Sequence, residues 1–523
     1  MVTNDHPPFD VLTATCIELQ RLLSDGKIRS TDIVDLYLDQ IDKHNHRGLK
    51  LNAMISIASR DILMSRAQDL DSERSRGVVR SPLHGIPITI KDNICTHPSL
   101  GMATTCGSFA FDRAKPKRNA PLVNSLLEAG VIIIGKANLS EFAGWKGLNV
   151  TTGWSAKGGQ TQSPYVKGGV VPGDKFLGHS TPAGSSSGSA VGVAAGFAPL
   201  SLATETDGSI TQPSNRAALY GLKATVGGAI TECTSPWSPL TDSAGGMAKS
   251  TLDLAALFDV IIKGRDTKFG SILTDNWKGQ RVGFVNPYLW ELNPAVCDRD
   301  EVLLSQQRAE IEEAAVKIKN AGAHVEKNVP FPSMDQLVLD GEDALEQLWN
   351  HDFGKAWATF LQEFEFEPGA KPIRTVADIV EFNKQHSDKE LPKEHPSQKL
   401  LEGVLEDKMT ATKYDEGVQI IRTAAKVKGI DKVIDEYGLD VIIGPMDGRI
   451  PTIAAAAGSP IASVPLGYYT KGNGRPFAMA IVAKAGQEDK IFRAMSAWEA
   501  LSSTDPALSG RRAPPLLVNE QTS

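Results

Sequence analysis

The chain has 523 residues, 41% of them hydrophobic and 22% charged, with a formal net charge of -7. That length supports a large core or several domains, and a mildly acidic balance without any Lys/Arg block excludes an electrostatic binder of nucleic acid or other polyanions. Five scattered cysteines (Cys16, Cys95, Cys106, Cys233, Cys297) form no CxxC pair and no zinc spacing, which points to a reducing, cytoplasmic setting rather than a disulfide framework.

The opening residues, MVTNDHPPFD, lack a basic stretch followed by an apolar one, so no secretory leader is expected, and no segment reads as a membrane span. The first eighty residues read as helical. Ile17, Leu19, Leu22 and Leu23 form an apolar stripe ended by Gly26, and Ser30 is placed to cap a second helix carrying Ile33, Val34, Tyr37, Leu38 and Ile41. From residue 81 onward the pattern alternates. GIPITIKDN (85–93) is a short apolar strand ending at Lys91, NAPLVNSLLEAG a helix closed by Gly130, and VIIIG a buried strand. AVGVAAG is a helix of small residues and PLSLAT a strand; RVGFV, a helix over 306–320 and DVIIGP continue the series. Alternating strands and helices predict an α/β fold, a large, mostly parallel sheet with helices on both faces. Residues 331–414 differ: they are charged and helical, with Trp349 and Trp357, and read as an insertion or lid.

Several local motifs carry chemistry. Gly130-Val-Ile-Ile-Ile-Gly135-Lys136-Ala137 is one residue from a phosphate-binding loop, but Ala137 lacks the metal-binding hydroxyl and the Val/Ile run prefers a strand. His44 and His46 have no accompanying ligand cluster and read as surface residues. Gly184-Ser185-Ser186-Ser187-Gly188 fits G-x-S-x-G, the nucleophile elbow, with Ser186 as nucleophile. The segment before it, PGDKFLGHSTPAG, is a loop rather than the strand an elbow requires, and the histidines that follow lie in polar segments. Ser209 is the alternative: it follows a strand in a glycine-containing turn, whose backbone N–H groups can converge on an oxyanion. A serine hydroxyl needs a base. Lys91 qualifies if burial strips its ammonium of hydration, which lowers a lysine pKa by up to ~3–5 units. A lysine merely capping a strand at the surface is the equal alternative on these residues alone.

Taken in order, PLHGIPITIKDN, GVIIIGKANLSEFA, GWSAKGGQTQSPY, GSSSGSAVGVAAG, TETDGSITQPS, GLKATVG, DSAGGMAKSTLDLA and GSPIASVPLG resemble the amidase signature family. The resemblance spans most of the chain, and TETDGSI, GWSAKGGQ and IRTVADIVEFN are similar to its peptide-amidase and fungal-amidase branch. It implies an α/β/α sandwich and a Ser–cis-Ser–Lys triad that hydrolyses amides through an acyl-enzyme. By motif, the nucleophile is Ser209, the bridging serine with a cis bond is Ser185, the base is Lys91, and Ser186 is a neighbour hydrogen-bonded to the lysine. The backbone amides of Thr206, Asp207, Gly208 and Ser209 form the implied oxyanion hole. No metal, nucleotide or other cofactor is called for. The family often reads T-D-x-G-G-S-I-R; here Glu stands at 205, Asp at 207 and Thr at 211.

One amidase domain over 1–523 is expected: a helical region at 1–80, the signature core at 81–262, the lid at 331–414 and the rest of the core at 426–523. Trp237, Trp349, Phe353 and Trp357 are expected to line an apolar substrate pocket, although aromatics also pack cores. The implied substrate is a small-molecule or peptide amide, with esters and carbamates on the same triad as alternatives. A monomer or homodimer is expected, without nucleic-acid or membrane partners. The competing readings are an ammonia-delivering amidotransferase subunit, which the missing Arg at 211 weakens, and a non-catalytic binder on the same scaffold.

Overall fold

The computed structural model describes residues 7–505, 508 and 510–521; the first six residues, which belong to the segment read as lacking a leader, lie outside them. Eleven strands form one sheet: β1 (Met54–Ile57), β2 (Pro87–Lys91), β3 (Ile132–Ala137), β4 (Leu200–Glu205), β5 (Tyr220–Lys223), β6 (Ser243–Ala248), β7 (Arg281–Phe284), β8 (His324–Lys327), β9 (Val441–Pro445), β10 (Ile461–Tyr468) and β11 (Pro476–Val482). Their spatial order is β1-β3-β2-β4-β6-β5-β10-β11-β9-β7-β8. The α/β class is as expected, but the sheet is mixed rather than mostly parallel: parallel pairing is confined to two blocks, β3-β2-β4 and β9-β7-β8. The other six pairings are antiparallel. The cause is compositional. The parallel blocks are built largely from the apolar, branched runs that read as strands. β6, β5 and the β10–β11 hairpin enter between them; β6 (SAGGMA) has no branched or aromatic residue, and the hairpin interrupts its branched and aromatic residues with alanine, glycine and proline.

The N-terminal helices, Cys16–Ser24 and Ser30–His44, form where the apolar stripes place them, the first closed by a Thr15/Glu18 capping box. Ser30 is the first helical residue rather than the cap: Arg29 holds the cap position, and Ser30 N–H donates to Asp71 Oδ1 at 2.7 Å. The region is not wholly helical: β1 lies within it and pairs with β3. Residues 132–137 are strand throughout, so the near-match to a phosphate loop is a buried strand of the core, and Lys136 donates inward to Ile94 O and Thr104 Oγ1.

Between β8 and β9 the chain forms helices Ala344–Phe360, Val376–Gln385, Lys399–Leu405 and Ala411–Ile421. No strand of this segment joins the main sheet; Phe364–Phe366 pairs instead with Ala114–Pro116. The segment is fixed to the core by a buried ion cluster, in which Lys146 Nζ meets Glu141 Oε1 at 2.5 Å and Glu390 Oε2 at 3.0 Å.

β2 and β4 are adjacent and parallel, so their carboxyl ends, Lys91 and Glu205, emerge on one side of the sheet. That is the side where open α/β sheets place their ligands. The helix Ser187–Ala194 lies against β2, β3 and β4. It approaches so closely that a Cβ at Gly188 would stand 2.3 Å from Ala53 O and 2.5 Å from Asn138 N. The small residues of this helix are therefore what brings its N-terminal loop, residues 183–187, over the ends of the two strands.

Candidate active site

Three side chains from three separate motifs meet there. Lys91 Nζ lies 2.8 Å from Ser185 Oγ, and Ser185 Oγ lies 2.9 Å from Ser209 Oγ. The peptide bond Gly184–Ser185 is cis. The loop carrying Ser185 is tied on both sides, since Ser140 N–H donates to Ser185 O at 2.9 Å and Ser186 N–H to Ser209 O at 3.1 Å. Ser186 occupies a different place from the one the motif implies. Its hydroxyl donates to Thr204 O (3.2 Å), and Lys91 Nζ reaches the same carbonyl at 3.3 Å, so the two meet on a shared acceptor rather than on each other. Lys91 also lies 3.3 Å from Thr204 Oγ1, to which Asn93 Nδ2 donates at 3.0 Å.

Lys91 is fully buried at the end of β2, so it is not a lysine capping the strand at the surface. No carboxylate forms an ion pair with it among the described residues. Burial pulls its pKa down from 10.5 to about 7, against a weaker upward pull from Glu205 and Asp242. Near neutral pH the neutral amine is therefore abundant.

The departures at 205, 207 and 211 each have a structural place. Glu205 Oε2 accepts from Ile210 N–H (2.7 Å), Thr211 N–H (2.9 Å) and Thr211 Oγ1 (3.1 Å), so it closes the N-terminus of the helix Thr211–Arg216 directly behind Ser209. Asp207 Oδ2 accepts from Thr452 Oγ1 at 2.9 Å, and burial pushes its carboxyl up to about 6. Thr206 donates to Asp242 Oδ1 (2.6 Å), while Asp242 Oδ2 accepts from the N–H groups of Trp237 and Ser238. The loop is thus held by side chains. The backbone N–H groups of Thr206, Asp207, Gly208 and Ser209 make no hydrogen bond to other groups among the described residues.

Ser209 stands between two cavities. One, of about 400 Å³, is bounded by Ser185, Trp145, Trp237, Trp349 and Pro451; the other, of about 10 Å³, is polar and bounded by Lys91, Thr206, Ser235 and Asp242. Trp237 and Trp349 thus face the larger cavity, with their indole N–H groups bound to Phe142 O (3.1 Å) and Thr241 Oγ1 (2.9 Å). Phe353 and Trp357 do not. Both are wholly buried, stacked on each other at 5.3 Å, with Phe353 stacked behind Trp145 at 5.8 Å and Trp357 Nε1 bound to Pro236 O at 2.8 Å. They are core residues that back the wall. The indole that sequence reasoning missed is Trp145, in EFAGWKG, packed edge-on to Trp237 at 4.7 Å. Its sign is its position between two motifs already singled out, after GVIIIGKANLSEFA and ahead of GWSAKGGQ.

With this arrangement in view, the fold is that of a serine hydrolase, and its site sets a lysine rather than a histidine in line with two serines. The chain belongs to the amidase family, hydrolases of amide C–N bonds: the family model "Amidase" matches residues 32–452. The native peptide amidase of Stenotrophomonas maltophilia is 30% identical and superposes with a TM-score of 0.82, covering 97% of this chain and 100% of that one. The amidase-family protein C869.01 of Schizosaccharomyces pombe is 31% identical over 93% of this chain and 85% of its own length. A glutamyl-tRNA(Gln) amidotransferase component of Lachnospira eligens is 28% identical over 94% of this chain and 98% of its own. No described helix is long and apolar enough to cross a membrane, and all five cysteines are free thiols.

Proposed function

We propose that this chain hydrolyses carboxylic amides with Ser209 as nucleophile, Ser185 as proton bridge and Lys91 as base. The observation that carries the reading is the unbroken line of hydrogen bonds from Lys91 Nζ through Ser185 Oγ to Ser209 Oγ. With Lys91 neutral, Ser209 Oγ bonds to the amide carbonyl carbon. Its proton passes to Ser185 Oγ while the Ser185 proton passes to Lys91 Nζ. The unpartnered amides of residues 206–209 receive the negative charge that develops on the carbonyl oxygen. The C–N bond then breaks, the proton returns along the same line to the departing nitrogen, and the acyl group remains on Ser209. Water attacks the ester by the same route and frees the acid.

The two unequal cavities suggest how a substrate is oriented. The aromatic cavity suits the acyl part, and the polar cleft has room for a leaving group no larger than ammonia or water. Peptide C-terminal amides and other primary amides with an aryl or apolar acyl part fit that asymmetry. The helical segment 331–414 supplies Trp349 to the wall and acts in this reading as the specificity element.

The test is a purified chain assayed alone on a primary peptide amide, an aryl amide, the matching ester and a carbamate, with a fluorophosphonate as covalent probe. Hydrolysis without a partner and loss of both turnover and labelling in Ser209→Ala are expected. Labelling that survives in Ser209→Ala would move the nucleophile to another residue such as Ser186. Activity seen only with a second protein component would favour the amidotransferase reading.

A further inference from the structure

The catalytic cavity continues into a second space. A groove of about 920 Å³ shares Leu292, Asp343 and Arg449 with it and runs on past Tyr288, Leu289 and Phe331. Tyr288 is 56% exposed and Leu289 is 74% exposed, an unusual state for two neighbouring large apolar side chains at the mouth of a cavity. The loop that displays them is anchored. Asn286 Oδ1 accepts from Tyr288 N–H (3.0 Å), Asn286 O from Leu289 N–H (3.1 Å), and Glu291 is ion-paired with Arg299 (2.9 Å) and Arg308. The Arg308 guanidinium lies over the Tyr288 ring at 4.7 Å. The edge of Trp290 packs against Phe331 at 5.0 Å between centroids. Gly448 lets the loop sit against the catalytic cavity, because a Cβ there would be 2.3 Å from Trp290 O.

We infer that this groove is a distal acyl subsite, and that the enzyme takes amides whose acyl part is an extended chain with an apolar group several bonds from the scissile carbonyl. The inference rests on the amidase reading above. A cavity of about 400 Å³ is already enough for a small-molecule-sized ligand, so a short amide has no use for the groove. The occupant is settled by continuity with the nucleophile's cavity. A chain attached at Ser209 can pass along the shared residues, where Arg449 offers donors and Asp343 offers a carboxylate to successive peptide C=O and N–H groups. Beyond them an apolar side chain meets Tyr288, Leu289 and Phe331.

The experiment is a series of amides, N-acetyl-phenylalaninamide and its extensions at the amino end by one, two and three leucines, assayed with the full chain. A rise in kcat/KM of tenfold or more with length, reaching a plateau, is expected. In Leu289→Asp and Tyr288→Ala the ratio of the longest to the shortest substrate should fall towards one. Both side chains stand in solvent, so an unchanged melting temperature checks that the fold is kept. A flat series in the unaltered enzyme, or a ratio that neither substitution moves, overturns the subsite while leaving amide hydrolysis intact. Failure to hydrolyse any member would instead strike the amidase reading itself, and the subsite with it.

Discussion

The assignment of Lys91 as base makes a quantitative demand on pH. A lysine in water titrates at 10.5, and at pH 7 only about one molecule in three thousand carries the free amine. Burial brings the Lys91 pKa to about 7, which corresponds to roughly 5 kcal/mol of disfavour for the charged form and leaves about half the molecules with a usable base. The sign follows directly: the amine is the active form, so activity rises as pH rises through about 7. The kcat/KM for a primary amide, measured from pH 5 to 9 under conditions where the fold is intact, should climb about tenfold per pH unit on the acid side and flatten above pH 8. Asp242, pushed up to about 6 by burial, loses its charge on the same limb, and because that charge favours the ammonium the limb should become shallower below that point. Asp242→Asn removes a negative charge that favours the ammonium and should move the limb to lower pH. Lys91→Ala should cost at least ~10²–10⁴-fold in kcat, the usual worth of a general base. A flat profile between pH 5 and 9, or a Lys91→Ala enzyme with full activity, refutes this reasoning.

Two further predictions concern how the site is held. Glu205→Ala withdraws the acceptor from two backbone N–H groups and the Thr211 hydroxyl in a buried place; a loss of ~2–4 kcal/mol in urea unfolding is expected, and a loss below about 0.5 kcal/mol would show the contacts to be incidental. Lys146→Met leaves Glu141 and Glu390 buried without their cation, so about 3–5 kcal/mol of destabilisation is expected at pH 7. Burial already pushes the Glu141 carboxyl well up, so it can be neutralised by protonation and that deficit should shrink on acidification to pH 5, read as the difference in melting temperature between the variant and the unaltered chain.

What could be read from the sequence divides along physical lines. β2, β3, β4, β7 and β9 were legible because burial on both faces demands uninterrupted apolar, branched residues, and those runs stand out. β6 was not, because SAGGMA is shaped by its neighbours: a Cβ at Gly245 would lie 1.9 Å from Leu222 O, so close packing and not strand preference chose its residues. The place of Lys91, Ser185 and Ser209 could be named from motif order, but motif order could not tell that Ser186 turns to Thr204 O. The pocket was least legible. Trp349 and Phe353 are four residues apart on one helix, yet one faces the cavity and the other the core, and only the partner surfaces of Trp145 and Trp237 decide which.

Thr204 gives the lysine a direction. A neutral amine has two N–H bonds and one lone pair, and the carbonyl and hydroxyl oxygens of Thr204 are two acceptors supplied by one residue. With both N–H bonds spent on Thr204, the lone pair is left facing Ser185 Oγ, 2.8 Å away. Thr204 therefore does for an amine, which can otherwise spin freely about its terminal bond, what a carboxylate does for an imidazole when it fixes which nitrogen is basic. Burial at the end of β2 makes the uncharged amine accessible near neutral pH, and Thr204 near the end of β4 sets which way the proposed base points.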